Sequence, residues 1–278
     1  MSETAYQVQF RSEIVNAFER EQSLVRNTVT TEAVIKGNTA TFLVAGSGGA
    51  TAVTRGVNGL IPARGDDNTQ LECTLREWHD LAQKTGFNIF ASQGDQRALM
   101  ARTTMGVINR KIDDDIIDAL ETGTQYAGLS AEGMSLSLAM RAKAILGNND
   151  VPNDGNVTCL ITPAAHSKLM QTKEFASADY VNNKPFSNQP SMFRWANINW
   201  IEHTGLTGKG TSSEICIMYH KSAIGHGMDT SGMKVGLGYD EEQDYTYARV
   251  SAYMGSKLLQ NSGVVLIRHD GSDVAATA

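Results

Sequence analysis

From Asp95 to Glu121, apolar or threonine side chains return every three to four residues: Leu99/Met100, Thr103/Thr104, Val107/Ile108, Ile112, Ile116/Ile117 and Leu120. That period predicts one amphipathic helix. Ser92 and Asp95 form a capping pair at its start, and Gly123 is placed to stop it. At 1.5 Å per residue the helix would be about 40 Å long, a spine rather than an ordinary globular helix. A second helical run covers 131–146 and ends at Gly147-Asn148-Asn149. A shorter pattern, with Phe10, Ile14 and Phe18 four apart, predicts a helix within 9–26 that follows a loose N-terminus.

Elsewhere the period is two. Residues 28–45 are rich in Thr, Val and Ile, with a turn at Gly37-Asn38, and in 71–80 Leu71, Cys73 and Leu75 alternate with Glu72, Thr74 and Arg76. Both read as strands. Between them, 46–69 holds Gly46, Gly48, Gly49, Gly56, Gly59, Gly65 and Pro62. A loop of this length inside a compact domain is usually functional, and it predicts an extended two-stranded arm with a mobile tip. From 151 onward the texture is mixed. Strands are expected over 156–163, 193–203, 212–220, 245–255 and 263–271, with a helix over 164–171 and another starting at 221–227.

Composition narrows the classes. The chain has 278 residues, 41% hydrophobic and 19% charged, enough apolar content for a sizeable core. No window approaches 18 uninterrupted apolar residues, so no membrane partner is expected. The N-terminal MSETAYQVQFRSEIV has neither a basic nor an apolar signal region. Three scattered cysteines, Cys73, Cys159 and Cys216, fit a reducing compartment and small buried roles. The net charge is −6, and the dense runs Asp113-Asp114-Asp115 and Asp240-Glu241-Glu242 with Asp244 are acidic. A protein that grips nucleic acid normally shows a basic patch, so sequence-specific DNA binding is not expected.

Candidate chemistry fails motif by motif. The glycine run at 46–49 is followed by no lysine and leads to a strand, so neither a phosphate loop nor a dinucleotide fingerprint fits. In TGLTGKGTS, 204–212, Gly210 stands where a phosphate loop needs Ser or Thr after Lys209. His79, His166, His203, His220, His226 and His269 show no paired metal-ligand spacing, and no Cys-x-x-Cys exists. Gly46 and Gly48 flank Ser47 without the spacers of a nucleophile elbow. The acids Asp113, Asp114 and Asp115 point in different directions around a helix and read as a solvated or partner-facing face. No catalytic constellation, cofactor or metal is expected, and so no enzyme. Extended arms bury little surface alone and need neighbours, which suggests a shell or filament subunit.

The order of elements resembles the major capsid protein of tailed bacteriophages, a fold shared with encapsulins and the floor of herpesvirus capsids. TATFLVAGSG (39–48), IDDDIIDAL (112–120) and ARVSAYMGSKLLQNSGVVLIRHDG (248–271) carry the likeness. The resemblance implies an α+β fold with an N-terminal arm (1–30), extended loop (31–87), peripheral domain with spine helix (88–150) and axial domain (151–238). A peripheral return strand (239–260) and an axial strand with C-terminal tail (261–278) complete it. It implies neighbour contacts at Gly46, Gly48, Gly49, Arg55, Arg64, Asp66 and Asp67. Gly205, Gly208, Lys209 and Gly210 would form an axial loop near the five-fold and quasi-six-fold axes, where glycine permits two packings. Asp240, Glu241, Glu242 and Asp244 would lie near three-fold axes.

By the same likeness, copies of the chain would assemble into pentamers and hexamers around double-stranded DNA, in the virion, after assembly in host bacterial cytoplasm. A separate scaffolding protein and a portal are implied, and a decoration protein is admitted. The loop 46–69 has no lysine, so no lysine–asparagine cross-link is expected there. The alternatives are an encapsulin-type shell and, from another class, a soluble α/β enzyme.

Overall fold

The computed structural model describes residues 20–31, 34–91, 95–129, 132–173, 192–229 and 232–272. In chain order come strands β1 (Val34–Lys36), β2 (Thr39–Gly46), β3 (Asp67–Thr74) and β4 (Arg76–Thr85), then helices α1 (Gly86–Ala91) and α2 (Gln96–Glu121). Strand β5 (Tyr126–Ala127), helix α3 (Leu136–Asn148), strand β6 (Val157–Ile161) and helix α4 (Pro163–Met170) follow. Then come strands β7 (Met192–Trp195), β8 (Ile198–Glu202), β9 (Glu214–His220), β10 (Ile224–Met228), β11 (Lys234–Asp240), β12 (Tyr245–Leu258) and β13 (Val264–His269). Among the described residues no helix is long and apolar enough to cross a membrane.

The chain divides into two compact units. The first takes Met1–Ser23, Glu77–Ile112 and Asp229–Tyr253, and the second Leu24–Arg76, Asp113–Met228 and Met254–Ala278. Helix α2 and strand β12 are continuous through both. The division therefore falls inside these two elements, and inside β4 between Arg76 and Glu77.

In the second unit a six-stranded sheet, ordered β5-β13-β9-β6-β8-β7, carries the main core. Alternate residues Cys159, Ile161, Trp200, Cys216, Met218, Val265 and Ile267 pack against Leu138, Ala139, Ala142 and Leu146 of α3 and Ala165 and Leu169 of α4. Every residue of β6 is buried, as expected for a strand that is apolar along its length. Helix α3 starts at Leu136 rather than 131, because the Ser135 side chain accepts from Leu138 N and sets the cap. The strand expected over 193–203 is a hairpin, β7–β8. Ala196 and Asn197, with φ of +52° and +61°, turn it in the conformation that two-residue hairpins favour.

Helix α2 follows its predicted span. Asp95 caps it, its Oδ1 accepting from Arg97 N and Ala98 N at 3.1 Å each; Ser92 lies outside the described residues. In the first unit Met100, Thr104, Ile108 and Ile112 form its buried stripe, and Ile116, Ile117 and Leu120 continue it in the second. Of the helix expected over 9–26, residues 9–19 lie outside the described residues. Residues 20–25 form no helix, and a single 3-10 turn stands at Arg26–Thr28. The chain at 221–227 is also not helical beyond one 3-10 turn, Lys221–Ala223; it continues as β10.

Candidate functional site

The extended loop is built by β2 and β3, paired antiparallel from Thr39↔Thr74 to Gly46↔Asp67. Its root is buried: Ala40, Phe42 and Cys73 form a small core. This root lies against β10, whose alternate glycines leave it room. A Cβ on Gly225 would come within 2.6 Å of Phe42, and one on Gly227 within 2.5 Å of Ala40. The IGHG stretch thus provides close approach in a strand, not a helix start.

Beyond Gly46 the arm loses all cover. Gly48 and Gly49 turn the chain at φ of +61° and +73°. The tip closes through Gly56 N to Leu60 O at 3.0 Å and Gly59 N to Gly56 O at 2.9 Å. Val53, Leu60 and Ile61 are 60–73% exposed and Val57 is fully so. Arg64 pairs with Asp66 of its own loop at 3.2 Å, both in solvent, and such a pair contributes about 0–1 kcal/mol. Arg55 is exposed, and Asp67 closes the ladder opposite Gly46.

The loop 205–213 is held in the opposite manner. At its entry Gly205 N donates to His203 Nδ1 at 3.1 Å, and His203 Nε2 donates to Asp113 Oδ2 at 3.2 Å. At its exit the fully buried Glu214 accepts from Gly210 N at 2.5 Å and from Thr162 Oγ1 at 2.6 Å. Gly208 is required by its φ of +76° and by a Cβ that would fall 2.2 Å from Ser213 O. Lys209 stands exposed at the tip.

The acidic turn joins β11 to β12. Asp240 Oδ1 accepts from Glu242 N and Gln243 N at 3.0 and 3.2 Å. Asp244, at φ +49°, accepts from Tyr239 Oη at 2.6 Å, and this bond pushes the Tyr239 phenol up. Glu241 and Glu242 are exposed. On β11, Val235, Leu237 and Tyr239 are 47–58% exposed, and Leu237 and Tyr239 line a cavity of about 180 Å³ together with Met100 and Ala248. Among the described residues no group of three or more His, Cys, Asp and Glu has metal-holding geometry.

The acids of the spine helix require one correction. Asp113 is 1% exposed and does not belong to a solvated face. It sits between Ile112 and Ile116/Ile117 on the buried stripe, a position legible from the period. Asp114 and Asp115 are half-buried, and Asp115 accepts from Ser256 Oγ at 2.7 Å. Ser256 Oγ in turn contacts His226 Nδ1 at 2.9 Å, and burial pushes His226 down to about 4. All three cysteines are buried; burial pushes the Cys216 thiol up to about 12. His203, Glu214, His226 and Ser256 are not among the site residues expected from sequence, since the side chains they meet are remote along the chain.

The described residues thus combine a bare hairpin arm, a long helix continuous through both units, a loop tied to buried side chains and an acidic turn. Comparison with known proteins identifies the class. The sequence model of the family described as "Phage capsid protein" matches residues 3–271, and the chain belongs to that family. No curated protein matches it. Among solved structures, a chain of Mycobacterium phage Che8 is 17% identical with a TM-score of 0.76, over 96% of this chain and 98% of that one. The capsid of cyanophage P-SCSP1u is 12% identical with a TM-score of 0.75, over 95% and 93%. The capsid of a native GTA particle is 12% identical with a TM-score of 0.70, over 97% of each chain. The fold is that of phage major capsid proteins, and the chain is a structural shell subunit. Neither the encapsulin nor the enzyme alternative is favoured.

Proposed function

We propose that copies of this chain close into an icosahedral shell of pentamers and hexamers around double-stranded DNA, assembled in a host bacterial cytoplasm. The observation that carries this reading is the apolar tip of the extended loop: Val53, Val57, Leu60 and Ile61 stand in solvent although the root beneath them is packed. Apolar surface presented this way is a contact waiting for a partner, and in a closed shell the partner is another copy.

In this reading Gly46–Thr69 lies over a neighbour, with Arg55, Arg64, Asp66 and Asp67 exchanging partners across the contact. The first unit supplies the peripheral domain and the six-stranded sheet the axial domain. Gly205–Ser213 meets its copies near the five-fold and quasi-six-fold axes, and Asp240–Asp244 near the three-fold axes. The net charge of −6 leaves packaged DNA free of the wall. A separate scaffolding protein and a portal complete assembly, with a decoration protein admitted on the outside. The role is structural, without catalysis.

Size-exclusion chromatography with light scattering, followed by negative-stain imaging, tests the proposal. Megadalton shells, or capsomers that close into them, are expected. A monomer or dimer unmoved by concentration, salt or crowding would overturn it.

A further inference from the structure

One buried carboxylate serves two distant segments. Asp113 Oδ2 accepts from Leu24 N at 3.1 Å and Oδ1 from Val25 N at 3.3 Å, at the point where the N-terminal segment enters the second unit. The same carboxylate accepts from His203 Nε2 at 3.2 Å, with both side chains at 0–1% exposure. A carboxylate can only accept here, so the proton sits on Nε2 and Nδ1 keeps its lone pair. That lone pair accepts Gly205 N at 3.1 Å. A hydrogen-bonded chain therefore runs from the amides of Leu24 and Val25, through Asp113 and His203, to the first residue of the loop 205–213.

The hydrogen-bonded chain is closed to water, since the Asp113 and His203 side chains are buried and so are Val25 and Val29 of the docked segment. Hydrogen bonds to a buried charge are strong because water is excluded. Undocking of Leu24–Thr28 would hydrate Asp113 and weaken its hold on His203, and opening of the loop would hydrate it from the other side.

We infer that Asp113 couples the docking of Leu24–Thr28 to the order of the loop 205–213, so that release of either loosens the other. The coupling must be reciprocal, because it is a property of one shared equilibrium. This does not depend on the shell geometry proposed above. It contrasts with the exit of the loop, where Glu214 holds Gly210 without reference to Asp113.

Hydrogen exchange on the purified full-length protein tests it. Deleting residues 1–27 is expected to speed exchange at 205–211 by about 5-fold or more, the lower range of measured coupling. In a His203→Asn background, whose shorter side chain cannot reach Asp113, the deletion should add nothing. Loop exchange unchanged by the deletion, or sped equally in both backgrounds, would overturn the inference. Should the deletion fail to fold, Asp113→Asn in the full chain replaces it: exchange must rise at both 24–28 and 205–211, and a response confined to one segment overturns it. Glu214→Gln is the control, expected to loosen 208–211 alone; an equal response at 24–28 would mean general loosening and would also overturn it.

Discussion

The two glycine-rich loops, 46–66 and 205–213, look alike in sequence and are held in opposite ways. In the first, no buried side chain among the described residues reaches past Gly46, and the apolar tip is exposed. In the second, two buried acids reach up from beneath, Asp113 through His203 at the entry and Glu214 directly at the exit. Glycine content therefore does not decide whether a loop is ordered by its own chain. What decides it is whether a buried polar group satisfies the loop's amides. In the proposed assembly, the loop that lacks such support is the one that meets a neighbour.

The comparison breaks most visibly at Asp113. Asp113→Ala removes the acceptor that His203 Nε2 and the amides of Leu24 and Val25 share, and should cost about 3–5 kcal/mol in denaturant unfolding of the subunit, at about 1–3 kcal/mol for each buried donor that loses its acceptor. A loss below about 1 kcal/mol would mean the entry to 205–213 is not held as described.

Acid sharpens it next. His226 is held neutral at about 4 against an ordinary 6.5. Between those values the unfolded chain takes up a proton that the folded chain refuses, so stability is full above pH 6.5 and falls as pH drops toward 4. The loss amounts to about 3 kcal/mol at 1.36 kcal/mol per pH unit. His269, also lowered by burial, adds in the same direction. Unfolding free energies at pH 7 and pH 4.5 should differ accordingly, and His226→Gln should flatten the slope.

Gly225→Ala, which drives a methyl into Phe42 at the arm root, should cost about 1–3 kcal/mol by overpacking, read by thermal unfolding. Substitutions on the bare arm give the smallest effect of all. Val57→Ser with Leu60→Ser, or Arg64→Ala, should change subunit stability by no more than about 0.5–1 kcal/mol. The apolar pair should nevertheless lower the yield of shells in assembly assays.

Much of this contrast was legible from local pattern. The spine helix, the two-stranded arm with the Gly37-Asn38 turn that precedes it, and the apolar run of β6 are local signals that need no partner to be read. Asp113 was legible too, lying on the stripe of Ile112, Ile116 and Ile117, but its membership of an acidic run suggested solvent instead. His203 and Glu214 hold loop amides close by, but nothing local marks them as buried, because the side chains they meet, Asp113 and Thr162, lie 90 and 52 residues away along the chain. The glycines of β10 misled for the same reason, since the side chains they admit, Phe42 and Ala40, belong to a remote strand. The β7–β8 turn was missed because Ala196-Asn197 lacks the glycine usual at a two-residue hairpin.

The central claim is that the arm is completed by a neighbouring copy, and limited trypsin digestion tests it most directly. Arg55-Gly56 and Arg64-Gly65 are exposed cleavage points on the arm. In free subunits both should be cut rapidly while the rest of the chain survives, and in assembled shells both should be protected. Equal cleavage in the two states would contradict the account.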